Sequence, residues 1–290
     1  VVLGRTAPLK VYLAPKGELA QAQTELYNIS VAALTAKHDA LIAALRKGGE
    51  VSQAVIQQLE QQLNREIEHR FEAEDLLNTQ LEETKKRLPE TVKKLAMVNL
   101  DFASAAYQKA YEYYKVGEIE QALKVLDEVD LANQASAALA SLEDIEKDKA
   151  GYQLALEREQ ERIDQIVQSY TLKAEAYNLI FDYRSAVNVY QKAVVLMEET
   201  KVGEDLELAD AYSYLSWIYR DLGDYNSALE YQEKDINILL NIFKKENLFL
   251  ARAYNDLSVV YSYLSLPLKA IETQKQALKI RENLIGIEHE

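Results

Sequence analysis

The feature that most constrains the fold is a pattern that recurs four times along the chain. The aligned segments are residues 105–129, 170–196, 212–239 and 254–280. In each segment a turn precedes an alanine, a tyrosine lies nine residues before that alanine, and a small residue lies twelve before it. The alanines are Ala122, Ala186, Ala228 and Ala270, of which the last three are spaced by 42 residues. Self-similarity at a fixed period of this length indicates a repeat architecture.

The residue types explain what each repeat builds. Two small residues let neighbouring antiparallel helices approach closely, and the tyrosine fills the space beside them. The repeat tyrosines are Tyr113, Tyr177, Tyr219 and Tyr261. Only 9 Gly and 4 Pro occur in 290 residues, which leaves long uninterrupted segments that favour helices. Because a single helical hairpin cannot bury its apolar face, the hairpins must stack, and we expect an all-α fold, an α-solenoid.

The small residue, tyrosine, glycine and alanine, at these offsets, resemble the tetratricopeptide repeat. The 42-residue period and the run ALKIRENLIGIEH (residues 277–289) are similar to the kinesin-light-chain variety of that repeat. The resemblance covers about residues 90–290. It implies a solenoid of helical hairpins whose first helices line a concave groove.

Two departures from the pattern are visible. Ser265, Leu266 and Pro267 replace the usual Gly-Asp-Tyr, so we expect that turn to differ in shape. The step from Ala122 to Ala186 is 64 residues, and the extra length falls at about residues 131–163. This segment is helical in composition and predicts an inserted helix plus a lengthened first helix of the second repeat. The repeat array is assigned to residues 89–290.

Residues 17–88 have helical periodicity without the repeat. Apolar residues recur at helical spacing up to Lys47, Gly48-Gly49 interrupts the pattern, and a second stripe runs from about Val51 to Leu88. This predicts a coiled-coil-like antiparallel hairpin that ends at Pro89. The charged residues between the stripe positions are interpreted as a solvated face. We expect the hairpin to cap the array, with self-association as the alternative, and interpret residues 1–16 as a leader or the end of an upstream domain.

The sequence has few residues suited to chemistry. There is no cysteine, and the three histidines have no metal-ligand partner at helical spacing. No glycine-rich phosphate loop occurs, and the carboxylate pairs lie at polar helix ends. We therefore predict no catalytic residue, no metal site and no cofactor, and hence no enzyme.

Charge and hydropathy limit the partners. The net charge of −14 argues against nucleic acid, because phosphate binding needs a basic surface. No apolar run reaches the roughly 18 residues that a membrane span requires. The absence of cysteine is compatible with a cytoplasmic location. The chain begins with Val1, and we expect it to be an internal fragment of a larger protein.

The resemblance also assigns residues to the groove wall by their offset from the small residue. These are Thr171, Glu175 and Asn178 in the second repeat, Ser213, Trp217, Arg220 and Asp221 in the third, and Arg252, Asn255, Val259 and Ser262 in the fourth. Trp217, the one tryptophan, would be an apolar anchor. Asn255 would hold the backbone of an extended peptide. The expected ligand is an extended or helical peptide with an apolar anchor and at least one acidic residue.

These observations predict a non-enzymatic scaffold for protein–protein interaction that binds a partner's peptide or helix in the groove. The alternative is a sensor or regulatory arm of a larger bacterial signalling or defence protein, whose effector domain lies outside these residues.

Overall fold

A computed structural model describes residues 16–98, 100–101, 103–147, 152–200, 205–243 and 245–288. Twelve helices and no strand occur among these residues, so the all-α prediction is confirmed. The helices are α1 (Lys16–Lys47), α2 (Gly49–Leu63), α3 (Arg70–Met97), α4 (Ala105–Tyr114), α5 (Ile119–Asp127), α6 (Leu131–Lys147), α7 (Tyr152–Leu179), α8 (Tyr183–Thr200), α9 (Asp205–Asp221), α10 (Tyr225–Ile242), α11 (Leu248–Tyr263) and α12 (Pro267–Glu288).

The repeats form four helical hairpins that stack into a solenoid. The pairs are α4–α5, α7–α8, α9–α10 and α11–α12, while α8 packs on α9 and α10 on α11. The small residues lie at the helix contacts. Ala174, Ala186 and Ala228 are fully buried, and Ser216 is almost so. Ser216 Oγ donates to the carbonyl of Ala228 at 2.8 Å, which ties the two helices of the third hairpin together. The additional helix α6 packs against α7.

All four hairpins turn in the same way. Each has one residue in the left-handed region, and these residues are Gly117 (φ 80°), Phe181 (φ 63°), Gly223 (φ 77°) and Ser265 (φ 58°). The next residue donates its N–H to the carbonyl of the repeat tyrosine, as Asp224 does to Tyr219 at 2.9 Å and Leu266 does to Tyr261 at 2.9 Å. The expectation that the fourth turn differs in shape is therefore wrong. Ser265 adopts the conformation that glycine adopts elsewhere, and the hydrogen bonds of the helix end hold it there.

The N-terminal pairing joins α1 to α3. His38 contacts Asn78, and Arg46 contacts Glu74, which makes the two helices antiparallel. The predicted continuous second helix is wrong, because residues 64–69 separate α2 from α3. The physical reason is the left-handed conformation of Asn64 (φ 53°), which ends α2.

Pro89 lies inside α3, so the prediction that this proline ends the helix is also wrong. Proline normally interrupts a helix because it lacks an N–H and crowds the preceding turn. Here the ring is exposed, while Leu88 and Val92 on either side are buried. Packing of the flanking turns outweighs the lost hydrogen bond, and α3 continues to Met97.

Helix α1 also packs against the repeat array. Ser30 Oγ lies 3.2 Å from the hydroxyl of Tyr114 in α4, and Lys37 Nζ lies 3.3 Å from Glu120 in α5. Leu34 and Leu45 belong to the same buried cluster as the first three repeats. The apolar stripe of α1 is therefore buried within the chain, and self-association through it stays a prediction.

Candidate partner-binding groove

The faces of α7, α9 and α11 that are directed toward α3 form the wall of a groove. Each of these is the first helix of one of the last three repeats, and the assignment of this wall to partner binding stays a prediction. The main difference from the expectation is that part of the groove is filled. Helix α3 runs antiparallel to α7 and α9 along the wall, and α1 covers α3 from the other side.

Four ion pairs join α3 to the wall. Glu83 Oε2 lies 3.0 Å from Arg220 Nη2, and Arg87 contacts Asp221. Further along α3, Glu90 Oε2 lies 3.5 Å from Arg252 Nη1, and Lys94 Nζ lies 3.3 Å from Asp210 Oδ2. We call Glu83, Arg87, Glu90 and Lys94 the charged stripe of α3. The stripe alternates acid and base, and each member meets the opposite charge on the wall.

The Arg87–Asp221 pair is the most buried of these contacts. The two side chains are only 7% and 5% exposed. Arg220 lies beside the pair, 3.6 Å from Asp221, and is itself buried. A buried pair of this kind contributes little net stability, because desolvation offsets the attraction, but losing one partner is costly. The pair therefore fixes the position of α3 against the wall more than it adds to stability.

Trp217 lies beneath α3. The Arg87 and Arg252 guanidinium groups lie 5.2 Å and 5.3 Å from its ring centroid, within the range of a cation–π contact. The indole is half-buried. It lines a cavity of about 30 Å³ together with Thr171, Glu175 and Ser213 of the wall and Thr91 of α3. That volume is enough for about one or two water molecules.

Glu175 is a buried carboxyl at the α3 interface. The hydroxyl of Thr91 donates to Glu175 Oε1 at 3.2 Å. Burial raises the pKa of Glu175 to about 7, although the hydrogen bonds from Tyr214 and Thr91 and the charges of Lys94 and Arg87 oppose this rise. The carboxyl is therefore sensitive to pH in the neutral range.

The other predicted wall residues lie in different surroundings. Asn178 is buried and donates to the hydroxyl of Tyr214. Asn255 accepts from Gln274 of α12 at 3.3 Å. Val259 is half-buried and Ser262 is exposed. The wall near Asn255, Val259 and Ser262, which we call the open end of the groove, thus lies on α11, beyond the α9 residues that α3 contacts.

The sequence interpretation missed the charged stripe of α3 and its acidic partner Asp210. The signal was present, because residues 83, 87, 90 and 94 are spaced by four, three and four and share one helical face. It was hidden by two assumptions. Pro89 was expected to end the helix, and charges outside the apolar stripe were expected to face solvent.

Within the described residues, no group of three or more metal-ligating side chains comes together. Of the two histidines in this part of the chain, His69 is exposed and His38 is bonded to Asp39 and Asn78. His289 lies outside the described residues. None of the described helices has the length and apolar character needed to cross a membrane.

Comparison with protein families finds the tetratricopeptide repeat in two segments. One match covers residues 165–240 and the other residues 250–290. The first segment spans most of α7 through α10, and the second spans α11 and α12. No curated protein matches the chain.

Several solved structures are similar to this chain. The MamA protein is 19% identical, with 63% of this chain and 93% of that chain covered and a TM-score of 0.33. A protein of Podosopora anserina, described by its kinesin light chain nearly identical TPR-like repeats, is 17% identical with 62% and 95% covered and a TM-score of 0.38. BtubC (BKLC) from P. vanneervenii is 15% identical with 90% and 92% covered and a TM-score of 0.46. The kinesin-light-chain variety of the repeat stays a prediction.

Proposed function

We propose that this chain, a tetratricopeptide repeat protein, is a non-enzymatic scaffold that binds a helix or peptide of a protein partner in its groove. The observation that carries the proposal is the occupation of the groove by α3. A wall that accepts one helix through four matched ion pairs has the chemistry to recognise a protein segment.

The open end of the groove is where such a partner would make its first contact. Val259 and Ser262 lie there on α11. Arg252 is the wall cation next to this region, and its side chain remains 38% exposed although it contacts Glu90. An exposed arginine attracts an acidic side chain, in line with the expected acidic residue of the ligand.

The test is photo-crosslinking in the native host. In one variant a photoreactive amino acid replaces Ser262. In the control variant it replaces Lys192, an exposed residue of α8, which is the second helix of its repeat. We expect the Ser262 variant to yield a defined crosslinked protein that the Lys192 variant does not yield. Equal products from both positions, or no product from Ser262, would contradict the groove as the binding surface.

A further inference from the structure

We propose that α3 is a built-in occupant of the groove, and that the partner is an amphipathic α-helix that carries the same acid–base–acid–base order and replaces α3. The proposal rests on the scaffold function above and names the chemical class of the partner. It changes the earlier expectation, which allowed an extended peptide, to a helix with both signs of charge.

The order of charges is what specifies a helix. The charged stripe has spacings of four, three and four residues, which place all four side chains on one face only if the segment is helical. The wall presents Arg220 and Asp221 at one end of α9, Asp210 near its other end, and Arg252 on α11. An extended peptide with the same residues would spread these charges over more than twice the length of the helix.

The interface between α3 and the wall is more polar than the contacts within the repeat hairpins. Helix α3 has an apolar stripe that includes Leu77, Leu81, Leu88 and Leu95; this stripe belongs to the buried cluster that contains α1 and the first three repeats, and Leu95 reaches the cavity beside Trp217. The face directed at the wall instead carries Thr84, Thr91 and the charged stripe. Interfaces that form and separate are more polar than permanent ones, and charge matching contributes specificity more than affinity.

The connections of α3 allow it to separate from the wall. Residues 64–69 precede it and contain no helix, and non-helical residues follow it before α4 begins at Ala105. Because α1 covers the apolar stripe of α3, the two helices would move as a pair. Exchange therefore breaks the contacts of α3 with the wall and those of α1 with α4, α5 and α7, while the contacts within each repeat hairpin are separate from these.

The experiment titrates a fluorescent peptide with the sequence of residues 70–97 against the full chain. The chain contains no cysteine, so a Glu90→Cys, Arg252→Cys variant can be bridged by a short bis-maleimide that holds α3 in the groove. We expect saturable binding to the unbridged variant and at least tenfold weaker binding after bridging. Circular dichroism verifies that bridging leaves the helical content unchanged.

Two altered peptides test the charge order at equal net charge. One carries Arg87→Glu and Lys94→Glu, which reverse the cations of the charged stripe. The matched control carries Lys86→Glu and Lys93→Glu, which change exposed positions of the same helix. We expect the first peptide to bind at least tenfold more weakly than the control. Equal binding of the two would overturn the assignment of the charged stripe.

The outcomes separate this inference from the scaffold function. If no peptide binds the unbridged chain while the Ser262 variant still captures a host protein, the scaffold stands and the helical partner is wrong. If the peptide binds in the expected order but Ser262 captures nothing, the groove recognises a helix and the scaffold function fails. If light scattering finds a dimer that binds peptide only after dissociation, the occupant is α3 of a second copy, and the proposed partner is wrong.

Discussion

Two kinds of contact in this molecule bury side chains of different chemistry. One lies within the repeat hairpins, and the other lies between α3 and the groove wall. The hairpins meet through fully buried small and apolar residues such as Ala186, Leu215 and Ala228. The groove contact instead uses Arg87, Asp221 and their neighbours, which are charged. Apolar burial stabilises in proportion to area, whereas a buried ion pair roughly offsets its own desolvation. The apolar contacts therefore hold the array together, whereas the charged contacts add little net stability and set the position of α3 against the wall.

Replacement of Arg87 should have the largest effect on the groove contact. Arg87→Ala removes the nearest partner of the buried Asp221 and leaves it only Arg220, 3.6 Å away, so we expect α3 docking to weaken by up to roughly 3 kcal/mol. The fluorescence of Trp217, which lies under Arg87, should change in less urea than the far-ultraviolet circular dichroism does. The control is Lys115→Ala at the C-cap of α4, which removes an exposed ion pair with Glu112 and for which we expect an effect of less than about 0.5 kcal/mol. Similar effects of both variants would contradict the difference between the two kinds of contact.

A large-to-small substitution in the repeat core tests the contribution of the apolar contacts. Leu215 is fully buried in α9, and Leu215→Ala should cost roughly 2 to 5 kcal/mol of unfolding free energy. Here fluorescence and circular dichroism should change together, because the array itself is weakened. Leu268→Ala, at a residue that is 82% exposed, is the matched control and should have almost no effect. Separate transitions in Leu215→Ala would mean that the array is not one cooperative unit.

The buried carboxyl gives the groove contact a dependence on pH. Burial in the folded chain raises the pKa of Glu175 from 4.5 to about 7, so the folded state that keeps this carboxyl buried beneath α3 is favoured most below pH 4.5 and is weakened as the pH rises through about 7. The shift in pKa corresponds to about 3 kcal/mol of folding free energy that is lost once the pH exceeds about 7. The groups that act on Glu175 are Arg87, Lys94, Tyr114, Tyr190 and Tyr214.

The measurement for this prediction is Trp217 fluorescence between about pH 5 and pH 9. We expect a transition near pH 7 that Glu175→Gln removes. Asp235→Asn is the comparison variant, because burial and the neighbouring Asp210 raise the pKa of Asp235, a repeat residue of α10, to about 8. A transition that survives in Glu175→Gln and disappears in Asp235→Asn would assign the pH dependence to the repeats.

The smallest predicted effect concerns the turns of the repeats. Ser265 has φ 58°, a conformation that costs a residue with a side chain about 1 kcal/mol more than glycine. Ser265→Gly should therefore stabilise the chain by up to about 1 kcal/mol. Gly223→Ala is the matched opposite, because the added methyl group meets no atom within 4 Å and only the backbone conformation is penalised. If both substitutions shift the melting temperature in the same direction, the common turn geometry is contradicted.

The repeat array could be predicted from the sequence because its packing is periodic. The small residue, tyrosine and alanine recur at fixed offsets, and each set of contacts lies within one hairpin or between neighbours. Ser265 shows a limit of this reasoning, since a residue that departs from the pattern still adopts the common turn. The hydrogen bonds that hold this turn join backbone groups at the helix end, so they form whatever the side chain of residue 265 is.

The occupation of the groove could not be predicted in the same way. Arg87 and Asp221 are 134 residues apart, and no repeated spacing connects them. On a helix, a charged stripe that is buried against a wall has the same sequence pattern as one that faces water. Pro89 then concealed the length of α3, because only tertiary packing shows that a helix continues through a proline.

Helix α3 should separate from the groove more readily than the repeat hairpins separate from one another. Native-state hydrogen exchange at a fixed pH tests it directly by comparing the backbone amides of α3 with those of α10. We expect amides of α3 near Arg87 to exchange through an opening with a lower free energy than global unfolding, while amides of α10 near Ile236 require global unfolding. Equal protection of the two helices, with both lost only on global unfolding, would contradict the account.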